Sequence, residues 1–238
     1  SMAMDDNTTG ASNVAMGYAA LHANTTGAEN TAIGYQALNA NTTAQQNTAV
    51  GRLALLVNTT GDFNTAMGSA SLDANTTGES NTGIGVEALS ANTTGGNNTA
   101  LGRRALAANT TASSNTSVGL ESLYANTTGA NNTAVGKGAG TSVTTGSQNT
   151  FVGSIAGDGT VDSSDNTAVG YDALSADSGG TSTAIGSNAL QAATGYDNTG
   201  LGFNAGSAIS TGNNNLVLGH DAGLTGSPGG NFTAVSNV

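Results

Sequence analysis

The chain has 238 residues, among them 36 glycines, one proline, no cysteine and no tryptophan, and its fifteen acids and four bases give a formal charge of −11. That length can bury a core. The missing cysteines exclude disulfide staples and cysteine-based zinc sites, and so few bases exclude binding along a nucleic-acid backbone, which needs clustered Lys and Arg to release counterions. An acidic, weakly charged surface suits a secreted or virion-surface protein, and no apolar run reaches the length of about 18 residues that a membrane span needs.

In chain order, Ser1-Met2-Ala3-Met4 reads as a cloning scar with no signal peptide behind it. From there one phrase recurs. Its glycine stands at Gly17, Gly34, Gly51, Gly68, Gly85, Gly102, Gly119, Gly136, Gly153 and Gly170, each 17 residues from the last. Gly186 and Gly202 follow at steps of 16, Gly219 at 17 again, and Ser236 closes the series in FTAVS. Repetition at a fixed short period is the mark of a solenoid. It predicts one continuous repeat domain over residues 5–238, with about 13–14 coils.

Reading the copies column by column assigns roles. The residue before the glycine is always aliphatic or Met, as in Met16, Ile33 and Val50. Two before it stands a small residue, save Phe151 and Val217; three before it stands threonine, save Val14 and Leu216. This alternation predicts a short strand, with the threonine and the aliphatic facing a core. Three after the glycine is Ala or Ser, and four after it is Leu in nine copies, replaced by Gly140, Gly157, Gly206 and Gly223 in the other four. Those two positions are expected to face inward, the glycines trading a leucine for a bend. The residue next to the glycine ranges from Tyr18 and Tyr35 through Arg52, Arg103 and Lys137 to Phe203, so it is expected to face solvent or a partner. Fixed glycines and the β-branched, turn-forming ANTTG argue against helices. The predicted fold is all-β, a parallel β-solenoid. A single coil buries only one or two large side chains, worth roughly 1.5–3 kcal/mol each, so coils must stack on one another, and association between chains would supplement the thin core.

NTAIG, NTAVG and NTALG followed by xxAL resemble the YadA-like head repeats of trimeric autotransporter adhesins, which also occur in phage and prophage tail fibres. Thr31, Ala32, Ile33 and Gly34, and their counterparts in each coil, occupy the last four places of the family's core phrase. The resemblance implies a left-handed β-roll, a side-by-side homotrimer, and a non-enzymatic adhesion or receptor-binding role at a bacterial surface or on a tail fibre. Threonine stands where the family usually has valine, and the repeat is longer, with ANTTG extending an outer turn. Host-surface protein or glycan is the implied partner, with no cofactor, no nucleic acid and no membrane insertion.

NTT recurs at Asn7, Asn24, Asn41, Asn58, Asn75, Asn92, Asn109 and Asn126. It reads as an Asn/Thr ladder closing each turn; the rival reading is an ice-binding row of threonines. A purely structural spacer is a further alternative. Asp158, Asp162 and Asp165 gather in an irregular coil that lacks the spacing of an EF-hand, so a solvated loop is preferred there to a Ca²⁺ site. His22 and His220 are too far apart to share a centre, and no catalytic or metal-ligating motif is present. The candidate ligand contacts are Tyr18, Tyr35, Arg52, Arg103, Arg104 and Lys137, since Tyr and Arg concentrate binding energy at interfaces.

Overall fold

A computed structural model describes residues 2–224 and the backbone of 233–235. The chain is an all-β parallel β-solenoid of about 12 coils with a 17-residue repeat. Ser236, the end of the repeat series, lies outside the described residues. Each repeat of the series contributes one three-residue strand, fourteen in all. They are β1 (Val14–Met16), β2 (Thr31–Ile33), β3 (Thr48–Val50), β4 (Thr65–Met67), β5 (Thr82–Ile84), β6 (Thr99–Leu101), β7 (Thr116–Val118), β8 (Thr133–Val135), β9 (Thr150–Val152), β10 (Thr167–Val169), β11 (Thr183–Ile185), β12 (Thr199–Leu201), β13 (Leu216–Leu218) and β14 (Thr233–Val235). Two compact units divide the chain at 117/118. In the first, β1 to β6 pair in parallel in chain order, in a register that places Thr31 beside Thr48 and Ile33 beside Val50. In the second, β8 to β14 pair in the same way. Met4 sits in the leucine column and its amide donates to the Ala20 carbonyl at 3.0 Å, as Leu21 does to Ala37 at 2.9 Å, so the first residues extend the coil pattern.

The strand faces are the reverse of the expectation. The small middle residue points inward: Ala32, Ala49, Ala66 and Ala100 are fully buried, while Thr31 and Ile33 are half-exposed. The reason is the thinness of the coil. Across the interior, the middle strand position faces the leucine of the opposite turn, and a Cβ added at Gly200 would lie 2.8 Å from Leu190 Cγ. Where a leucine stands opposite, only a small side chain fits there, so the larger threonine and aliphatic residues take the other face. Ala37 and Leu38 point inward as expected, both fully buried.

The leucine column corrects a second expectation. Leu38, Leu55, Leu72 and Leu89 already lie in the left-handed region, with φ of 50–53°. The bend therefore does not need glycine. What Gly140 and Gly157 supply is volume, because a Cβ would come within 2.7 Å of the Phe151 ring at Gly140 and within 2.3 Å at Gly157. Phe151 thus fills from the strand the space that leucines fill from the turn in other coils. A left-handed residue other than glycine costs about 1–2 kcal/mol, and the buried leucine with its cross-coil hydrogen bond offsets it. Glycine is obligatory at the end of the strand phrase, where Gly34 has φ +139° and its Cβ would meet the Gly51 carbonyl oxygen at 2.4 Å.

Two buried asparagine columns tie coil to coil. In the NTT column, Asn41 Nδ2 donates to Asn24 Oδ1 at 2.7 Å and to the Ala44 carbonyl at 3.0 Å, closing its own turn. The same arrangement runs through Asn75, Asn92 and Asn109. In the other column, just before each strand, the amide of Asn47 donates to Asn30 Oδ1 at 3.0 Å, and Asn30 Nδ2 donates to the Ala44 carbonyl at 2.8 Å. A buried amide is costly when its donors and acceptors are unpaired; the 17-residue repeat supplies most of these partners from adjacent coils, while Asn47 Nδ2 and Asn166 Nδ2 are buried without one.

Candidate functional site: an outward threonine and aliphatic face

Because strand side chains alternate, the buried middle residue leaves two outward ranks on each coil. In the first unit these are Thr31, Thr48, Thr65, Thr82, Thr99 and Thr116 beside Met16, Ile33, Val50, Met67, Ile84 and Leu101. In the second they are the threonines of β8 to β12 beside Val135, Val152, Val169, Ile185 and Leu201. Large apolar groups stand open to solvent in both, among them Met16 at 62%, Met67 at 43% and Leu201 at 47% exposure. Neither rank contains a charged residue.

The two threonine arrays of each coil differ in what their hydroxyls do. In the turn, Thr25 Oγ1 donates to the Thr42 carbonyl at 3.0 Å and Thr76 Oγ1 to the Thr93 carbonyl at 3.0 Å, so these hydroxyls are used within the stack. The strand threonine hydroxyls have no protein partner among the described residues. They form a row of free donors and acceptors along an apolar stripe.

The six residues singled out from the sequence fall into separate places. Tyr18 and Tyr35 are exposed and stack with ring centroids 5.3 Å apart and 11° between planes. Arg52 follows in the next coil of the same column, and Arg103 lies exposed in that column further on. Arg104 is half-buried and its Nε lies 3.5 Å from Glu87. Lys137 is exposed in the second unit. The structure therefore brings two of the six into contact and does not gather the rest into one site. Of the three aspartates Asp158, Asp162 and Asp165, the last two are exposed. No group of three His, Cys, Asp or Glu able to hold a metal exists among the described residues, and no pocket opens among them. His22 lies 3.5 Å from Asp6, and His220 stacks on Phe203.

Two features escaped the column reading. One is the outward face itself; the other is the asparagine column at Asn30, Asn47 and Asn64, present in the phrase but given no role. Comparison of the chain with known protein families, with curated proteins and with solved structures finds no match.

Proposed function

We propose that the protein is a non-enzymatic rod module of a surface adhesin or tail fibre, in which copies of the chain associate side by side through the threonine and aliphatic face. One observation carries this reading: a parallel sheet presents an uncharged face of half-exposed Met, Ile, Val and Leu along each unit. Parallel sheets ordinarily have both faces covered, and a contiguous apolar stripe on a soluble protein marks an interaction surface. Side chains as unequal as Met67, Ile84 and Leu101 suit interdigitation with a protein better than contact with a flat lattice. The resemblance to YadA-like head repeats supports three chains, a left-handed β-roll and an extracellular setting. In such a rod the exposed column of Tyr18, Tyr35, Arg52, Arg103 and Lys137, with Arg104 beside it, is the surface for a host protein or glycan, and each weak contact is multiplied by avidity.

Adhesion of the purified protein to host cells or matrix, measured before and after Ala replaces those six residues, tests the binding role. The reading predicts a loss of adhesion with the mass of the assembly unchanged; full adhesion by the replaced protein contradicts it. The free strand hydroxyls favour one rival, an ice-binding face, in which ordered water rather than a second chain covers the threonine rank. Thermal hysteresis at high protein concentration supports that rival, and its absence removes it.

A further inference from the structure

Asp73 and Asp158 occupy the same position of the repeat, each directly after the leucine-column residue: Asp73 after Leu72, Asp158 after Gly157. In both, Oδ1 is sealed from solvent and accepts no hydrogen bond. A carboxylate oxygen so placed disfavours the charged form, since water is excluded from Oδ1 and no donor reaches that atom. The surroundings add to this in the same way twice. Asp73 feels Glu87 and Asp158 feels Asp172, each carboxylate coming from the following coil two residues after its glycine.

We propose that these two sites make the solenoid acid-strengthened: protonation of Asp73 and Asp158 removes a half-buried charge from each unit and tightens the stack. The charges around them are few. Glu87 itself lies 3.5 Å from Arg104 Nε, which partly neutralises it, and the corresponding positions of the coil before Asp73 hold Leu53 and Leu56. Asp172 accepts a hydrogen bond from Gln191 Nε2, and the coil before Asp158 holds Gly138 and Thr141 at those positions. Backbone amides at Asp73 and Ala74, and at Asp158 and Gly159, favour the charged forms but are outweighed. Burial, foremost, holds both carboxyls above the ordinary aspartate value, with the neighbouring carboxylate raising each further.

The direction follows from proton linkage. When the folded value lies above the unfolded one, the native state binds more protons between the two, so stability rises as pH falls through the raised folded value. The destabilisation is fully present above the raised folded value and is gone once the pH has fallen below the ordinary aspartate value. Acidification of a chain of charge −11 also relieves general self-repulsion, so the test needs a control of equal charge.

The melting temperature is to be read at pH 7.5 and in the acid range for the wild-type chain, for D73N/D158N, and for E79Q/D162N, which removes two exposed charges. The expected result is that D73N/D158N melts about 2–4 °C or more above the wild type at pH 7.5 and loses most of the gain on acidification, while E79Q/D162N keeps it. An acid gain as large in D73N/D158N as in the wild type overturns the proposal. So does an equal loss of the gain in both variants, which assigns the effect to net charge. Should the double variant fold poorly, D73N and D158N singly give the same reading at half the size.

Discussion

The two units solve one packing problem differently. In the first, every complete coil repeats the same solution: an inward leucine from Leu21 to Leu106, an alanine or glycine opposite it on the strand, and an unbroken asparagine column from Asn24 to Asn109. In the second, that column passes from Asn126 to Val143, Thr160, Ala193 and Ile209, and leucine is kept at Leu123, Leu174 and Leu190 but gives way to Gly140, Gly157 and Gly206. Phe151 and Val217 enter from the strand side where those glycines make room. The contrast teaches that the coil conserves interior volume and paired backbone, not particular residues. A hydrogen-bonded amide and an apolar plug are alternative ways to fill a turn, and leucine from one wall exchanges with phenylalanine from the other.

The largest break of this comparison is F151A, which empties the space its flanking glycines created. A buried phenylalanine truncated to alanine costs about 3–5 kcal/mol, read as lowered denaturant midpoint of the second unit. G157L alone is expected to cost about 1–3 kcal/mol through overpacking against the Phe151 ring. Together the two should cost less than F151A alone, because the new leucine refills the cavity in the way the first unit does; a double variant worse than either single one contradicts volume exchange. Next in size is N75V, which copies into the first unit the apolar turn of the second. It takes the donor from Asn58 Oδ1 and removes one bond each from the Asn92 amide and the Gly78 carbonyl, and a buried group left unpaired costs about 1–3 kcal/mol. Amide hydrogen exchange should accelerate in the coils on both sides.

The smallest effects separate the two threonine rows. T76V removes the hydroxyl that donates to the Thr93 carbonyl and should cost about 1 kcal/mol. T82V removes a hydroxyl with no protein partner and should stay within about 0.5 kcal/mol of wild type. Equal losses in the two variants would mean that the strand hydroxyl is engaged after all.

Much of this was legible in the sequence. The glycine period gave the solenoid and its strands, the Ala/Ser column and the leucine of nine copies gave the inward turn, and the tolerance of Tyr, Arg and Phe beside the glycine gave an exposed column. The strand polarity was not, because a period of two tells which residues share a face but not which face is inside. Aliphatics in every copy argued for burial under the usual rule, and the outcome depended on the width of the coil. A clue was nonetheless present: Phe151 and Val217, the two bulky residues of the small column, each sit between coils that have lost their leucine. A residue whose size varies with the leucine opposite must share its interior. The ladder at Asn30 and Asn47 was hidden for another reason, since a polar residue beside a strand reads as a loop until its partners in the adjacent coils are known.

The central claim is that the outward threonine and aliphatic face is covered by further copies of the chain. Native mass in dilute solution tests it most directly, measured for the wild type and for V50K/I84K, which places two charges on the face. The account predicts the mass of three chains for the wild type and of one folded chain for the variant. A wild-type chain that is monomeric at micromolar concentration, with the same mass as the variant, would contradict it.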